Sequence, residues 1–134
     1  MRFEELQIGM SDSTTKVITE QDILTFAELS TDKNPLHIDP VAASKGMFGK
    51  QIAHGMLVAS LISAVLGTKM PGEGSVYLGQ ELKFKRPVFI GDTIEAKAEV
   101  IELREEKHIV ILKTTCTNQD GVVVIDGFAT ILVK

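Results

Sequence analysis

Residues 55–67 read Gly55-Met56-Leu57-Val58-Ala59-Ser60-Leu61-Ile62-Ser63-Ala64-Val65-Leu66-Gly67, and nearly every side chain in the run is apolar or small. A helix written this way has almost no polar face, so it needs covering on most sides. The longest uncharged run, Gln51 to Thr68, is interrupted by Gln51, His54, Gly55, Ser60, Ser63, Gly67 and Thr68. It falls short of the roughly 20 predominantly apolar residues that a membrane span requires. The segment therefore reads as the buried helix of a soluble protein with no membrane partner.

The material to cover it follows Pro71-Gly72-Glu73-Gly74, where the pattern changes to period two. In Glu81-Leu82-Lys83-Phe84-Lys85, Leu82 and Phe84 point one way and the charges the other. Ile94-Glu95-Ala96-Lys97-Ala98-Glu99-Val100 alternates cleanly, as a half-buried strand does. His108 to Thr117 and Val122 to Val133 predict two more strands, joined by a hairpin at Asn118-Gln119-Asp120-Gly121. Gly91-Asp92 marks an earlier turn. The expectation is an antiparallel meander with one apolar face.

Upstream, Ser13 to Ile18 is weakly strand-like. Thr19 is placed to cap a helix, with Asp22 three residues on as its acidic partner. Ile23, Leu24, Phe26, Ala27 and Leu29 give that helix an apolar stripe. Asn34-Pro35 is expected to end it, because a residue before proline avoids helical angles. Pro40 to Met47 reads as a short helical turn. No repeat and no low-complexity linker divides the chain, so residues 1–134 read as one α+β domain, a helix packed on an antiparallel sheet.

Bulk composition excludes some functions. The net charge is −4 and the pI about 5.3, with no Lys/Arg cluster of the kind a nucleic-acid-binding face needs. Cys116 is the single cysteine, so no internal disulfide forms; inside a β-branched run it reads as core. A reducing, cytoplasmic location is expected. Met1 to Leu6 has no apolar stretch of signal-peptide length.

Two segments carry chemistry. In Ser30-Thr31-Asp32-Lys33-Asn34-Pro35-Leu36-His37-Ile38-Asp39-Pro40, Asp32 sits where a helix is ending. A carboxylate there faces the negative end of the helix dipole, at a cost of about 0.3–1 kcal/mol. Such rule-breaking is expected at functional sites. The bend at Pro35 can bring Asp32 and His37 to a common point. The same residues would also be written by a capped turn followed by a surface histidine. In His54-Gly55-Met56, Gly55 opens the apolar helix. The first N–H groups of a helix lack internal partners, and a glycine lets a ligand oxygen approach them. That is the outline of an oxyanion site. The plainer alternative is that Gly55 only caps and His54 is a satisfied structural histidine.

The stretch FAELSTDKNPLHIDPVAA, Phe26 to Ala43, closely resembles the hydratase-2 motif of MaoC-like (R)-specific enoyl-CoA hydratases. IAHGMLVASLISAVLG and GSVYLGQELKFKRPVFIGD look like the central helix and following strands of the short (R)-hydratases that feed polyhydroxyalkanoate synthesis. The likeness loosens only at the N-terminus and in the last hairpin. One departure is visible: the family usually has glycine before the aspartate, and here it is Thr31.

The resemblance implies a hot-dog fold, an antiparallel sheet wrapped around a central helix. It implies reversible syn hydration of short- to medium-chain trans-2-enoyl-CoA to (R)-3-hydroxyacyl-CoA. Asp32 and His37 match the catalytic pair that activates one water, Asn34 the asparagine that braces the loop, and Gly55 the oxyanion-hole glycine. Ser63 matches a serine of the active-site wall, although a serine on an apolar helix more usually bonds its own backbone. A homodimer is also implied. Lys83, Lys85 and Arg86 are candidates for the CoA phosphates.

No cofactor is expected, since no glycine-rich phosphate fingerprint appears. No metal is expected either: His37, His54 and His108 show no ligand spacing, and His108 reads as solvated surface beside Glu105-Glu106-Lys107. The rival readings are a dehydratase working on acyl-carrier protein, a hot-dog thioesterase releasing free thiol, and a non-catalytic acyl-CoA-binding regulator. The last would need a DNA-binding segment, for which neither length nor charge is present.

Overall fold

In the computed structural model, which describes residues 1–134, a 3-10 turn at Phe3–Glu5 leads into strand β1, Ser11–Val17. Helices α1 (Glu20–Ser30), α2 (Pro35–Ile38), α3 (Pro40–Ser44) and α4 (Gly55–Thr68) follow. Strands β2 (Val76–Phe84), β3 (Thr93–Arg104), β4 (Ile109–Thr117) and β5 (Val123–Leu132) complete the chain. No helix is long and apolar enough to cross a membrane.

The five strands form one antiparallel sheet in the order β1-β3-β4-β5-β2. The expected meander holds for β3, β4 and β5. It fails for β2, which leaves β3 and pairs with β5 at the far edge, from Val76↔Leu132 to Phe84↔Ile125. Alternation fixes which face of a strand is buried; it says nothing about which neighbour the strand takes.

Helix α4 packs on β1, β3 and β4. In β3 the alternation is realised: Ile94, Ala96, Ala98 and Val100 are all fully buried while Glu95 and Lys97 are exposed. The small Ala96 and Ala98 leave room for the helix to lie close. Leu57, Val58, Leu61, Ile62, Val65 and Leu66 of α4 meet the sheet's Val110, Leu112, Cys116, Ile125, Ala129 and Ile131 in one core. The helix is less enclosed than its composition suggests. Met56, Ser60, Ser63, Ala64 and Gly67 form an exposed stripe on its outer side. Apart from Met56 the stripe is made of small and hydroxyl side chains, which make that exposure cheap.

At the start of α1 the cap forms as read. Thr19 Oγ1 accepts from the Asp22 N–H at 3.0 Å, and the Asp22 carboxylate accepts from the Thr19 N–H at 3.0 Å. Lys16 Nζ lies 3.1 Å from the same carboxylate. The Thr19 N–H and Lys16 hold the Asp22 carboxyl below the usual carboxylate range. Its contribution is therefore complete above a free aspartate's pKa of about 3.9 and is lost as pH falls through the lower folded-state value. We expect Asp22→Asn to remove part of the acid limb of a thermal-stability-versus-pH curve, and Thr19→Ala to cost about 1 kcal/mol at neutral pH.

Helix α1 ends earlier than the Asn34-Pro35 signal predicts. Its last residue is Ser30, and Thr31 closes it in the left-handed region at φ 67°. His108 also departs from expectation. It takes φ 54° and stacks on Phe3, ring centroids 4.4 Å apart and planes 3° from parallel, so it anchors the N-terminal turn rather than sitting free in solvent. Cys116 is buried as predicted, and burial pushes its thiol up to about 12, which removes it as a nucleophile at neutral pH.

Candidate active site

The left-handed turn at Thr31 sends the chain from α1 into a run of side-chain-braced bends. The Asn34 N–H donates to Asp32 Oδ1 at 3.2 Å, and the Leu36 N–H donates to Asn34 Oδ1 at 3.1 Å. Asn34 thus caps α2, with Pro35 at its first position, where the missing N–H costs nothing. Asp39 and Pro40 repeat the device at the start of α3. His37 is carried on α2 with its side chain buried, and Asp32 stays exposed on the bend before it. Left-handed backbone suits glycine and strains a β-branched residue by about 1–2 kcal/mol. We expect Thr31→Gly to raise stability by about 0.5–1 kcal/mol, net of glycine's own entropy cost, as read from the urea midpoint.

The segment 51–54 locks this bend to the rest of the molecule. Gln51 Nε2 donates to the His37 carbonyl at 2.8 Å. The Ala53 N–H donates to the Val88 carbonyl at 2.7 Å, and Ile52 bridges Phe89. His37 Nδ1 lies 2.8 Å from the Ile52 carbonyl oxygen. A carbonyl only accepts, so Nδ1 carries the proton and Nε2 of the neutral ring keeps its lone pair.

Asp32, His37 and His54 come together: one ligand-type atom from each lies within 4.8 Å of the others. One water forming two ordinary hydrogen bonds can bridge such a gap. Spacing along the chain gives no sign of this grouping, and His108 lies outside it. His54 is nevertheless committed, because its Nε2 lies 2.9 Å from the Asp32 carbonyl oxygen and so must donate there. Nε2 is therefore no metal ligand, and the ring's remaining lone pair is on Nδ1. Nδ1 of His54 is buried and has no protein partner, so the protein satisfies only one of its two ring nitrogens.

The grouping opens into a cavity of about 660 Å³, within the usual range for small-molecule sites. Its buried wall includes Ala53, Val58, Val88 and Ile125; Phe48, Met56, Phe84, Lys85 and Arg86 border it further out. Gly55 also lines it. As the first residue of α4, Gly55 presents an N–H that the helix cannot satisfy. A Cβ on Gly55 would lie 2.6 Å and 2.7 Å from two ring carbons of Phe84, so glycine is required for the ring to lie over the helix start.

The fold therefore brings Asp32, His37 and Gly55 to one cavity, and Asn34 hydrogen-bonds within the bend before it. Ser63 is not brought there. It sits on the exposed stripe of α4, outside the cavity lining. Of the three phosphate candidates, Lys85 and Arg86 border the cavity and Lys83 does not. Sequence reasoning missed Ile52 and Phe84 as site residues. Ile52 acts through a backbone carbonyl, which no side-chain motif can advertise. The sequence pattern marks Phe84 only as an alternating strand residue.

Comparison with known proteins agrees with this arrangement. The family model described as MaoC like domain matches residues 5–121. An (R)-specific enoyl-CoA hydratase of Rhodospirillum rubrum is 51% identical over 98% of this chain and 90% of its own. A mitochondrial 3-hydroxyacyl-[acyl-carrier-protein] dehydratase of Arabidopsis thaliana is 43% identical over 93% of this chain and 76% of its own. Among solved structures, the (R)-hydratase from Aeromonas caviae involved in PHA biosynthesis superposes with a TM-score of 0.95 at 44% identity, covering 98% of this chain and 99% of that one. The sheet with α4 across it is the hot-dog fold of these hydratases, and the chain belongs to the MaoC-like family.

Proposed function

We propose that residues 1–134 form one hot-dog unit that catalyses (R)-specific, reversible syn hydration of short- to medium-chain trans-2-enoyl-CoA, without metal or cofactor, and that it does so in the cytoplasm. The observation that carries the reading is the gap of at most 4.8 Å between the Asp32 carboxylate and a His37 ring nitrogen at the mouth of an acyl-sized apolar cavity. Both groups accept hydrogen bonds. A water that donates one hydrogen to each is left with a lone pair free to attack C3.

Water is a poor nucleophile, so one of the two acceptors takes its proton as the C3–O bond forms. The pair of electrons leaving the double bond moves toward the thioester oxygen, which the Gly55 N–H meets. Collapse of that enolate draws a proton onto C2 from the same face, and the site returns to its starting protonation. Water has then been added across the double bond with no other change. Removing one oxyanion donor in comparable sites costs about 2.7–4 kcal/mol.

The homodimer belongs to the same proposal. Edge strand β2 leaves Val76, Tyr77 and Leu78 between 41% and 52% exposed, a run of apolar surface that a second copy would cover. A dehydratase acting on acyl-carrier protein is the second reading, favoured by the Arabidopsis relative. The test presents crotonyl-CoA and crotonyl-acyl-carrier protein to protein that sediments as two chains. We expect faster loss of enoyl absorbance with the CoA ester, an (R)-3-hydroxybutyryl product and no free thiol. Faster turnover of the carrier-protein ester would favour the second reading, and thiol release a thioesterase.

A further inference from the structure

We infer that His54 is a positioning residue that sets Asp32, His37 and the Gly55 amide in register; the inference rests on the hydratase reading above. Its side chain does nothing for the helix it begins. It occupies the N-cap of α4 and makes no capping hydrogen bond, where serine, threonine, asparagine or aspartate would. It is 2% exposed and leaves Nδ1 buried without a partner. An unpaired buried nitrogen opposes folding. A phenylalanine would fill the same space with no such penalty, so packing alone does not account for an imidazole here.

What the ring does instead is touch each part of the site. Through Nε2 it donates to the Asp32 carbonyl at 2.9 Å, across 22 residues of chain. One face stacks on the His37 ring, centroids 4.0 Å apart and planes 28° from parallel. Phe26 of α1 packs against it at 4.8 Å, tilted by 58°. Its backbone leads directly into Gly55. His37 is thus held at one nitrogen by the Ile52 carbonyl and over one ring face by His54, leaving Nε2 a fixed direction. Asp32, exposed on a bend, gains a tie to the buried helix start. A displacement of about 1 Å between such groups can cost 10²-fold in rate.

The experiment uses His54→Phe, which keeps the stacked plane and removes the donor, and His54→Gln, which keeps a donor and removes the plane. Crotonyl-CoA hydration is measured for both and for each combined with Asp32→Asn. We expect both single variants to lose about 10–100-fold in kcat with KM little changed. We expect neither to slow the Asp32→Asn protein by more than a few-fold, because the register that His54 sets between Asp32 and His37 is already lost there. A merely structural residue would lower the active fraction equally in both backgrounds. Folded single variants with wild-type kcat, or losses that multiply with Asp32→Asn, overturn the inference while leaving the hydratase reading intact. A wild type that hydrates nothing removes that reading and this inference together. If neither variant folds, long-range nitrogen–proton correlations of the wild-type histidines decide: His54 must carry its proton on Nε2 and His37 on Nδ1, and the opposite tautomer at His54 overturns the inference.

Discussion

Asp32→Asn is expected to lower kcat for crotonyl-CoA hydration by about 10²–10⁴-fold, with the fold unchanged. The asparagine keeps an oxygen where Oδ1 accepts from the Asn34 N–H, so the bend should survive. It removes only the negative charge and a water-facing acceptor. His37→Asn is the matched variant. Its amide nitrogen can replace Nδ1 in the bond to Ile52, while nothing replaces Nε2. A loss of that size corresponds to about 3–5 kcal/mol of transition-state stabilisation, too large for a solvated surface pair. Initial rates and thermal midpoints of both proteins check the prediction. Near-wild-type rates in two folded variants would remove the acid–base assignment.

Gly127→Ala is expected to cost at least about 3 kcal/mol, which at this chain length is a fall of about 10 °C in the unfolding midpoint. A Cβ built at Gly127 falls far inside van der Waals contact with the Glu81 carbonyl oxygen and lies 2.7 Å from its carbon. Both are backbone atoms of the paired strand β2, so no side chain can swing away. Relief requires β2 to part from β5, and β2 ends at Phe84, on the cavity wall. Activity should therefore fall along with stability. Gly79→Ala is the control on the same strand. A Cβ there meets nothing within 4 Å, and the change should stay within about 1 kcal/mol. Thermal unfolding followed by circular dichroism separates the two.

The local elements were legible because local patterns write them. The apolar run of α4, the strict alternation of β3, the Thr19 cap and the Asn118–Gly121 hairpin each depend on residues a few positions apart. The Asp32–His37 bend was legible for the same reason, since Asn34 and Pro35 build it in sequence. What was not legible depends on the tertiary structure. The end of α1 lies at Ser30 because Thr31 takes a left-handed conformation that its β-branched side chain argues against. The place of β2 beside β5 rests on pairing across some 50 positions, with a glycine allowing the close approach. His54 and His37 stack from different elements, and their meeting has no expression in chain spacing. Ser63 shows the converse limit: a match to a family position did not bring its side chain to the cavity of this chain.

The rate of the double variant Asp32→Asn/His37→Asn tests most directly whether the two groups act as a unit. If both grip the same water, losing the second costs little once the first is gone, as with other catalytic groups that work together. The account predicts a kcat/KM for the double variant within a few-fold of the slower single variant. Losses that multiply, as independent sites would give, would contradict it.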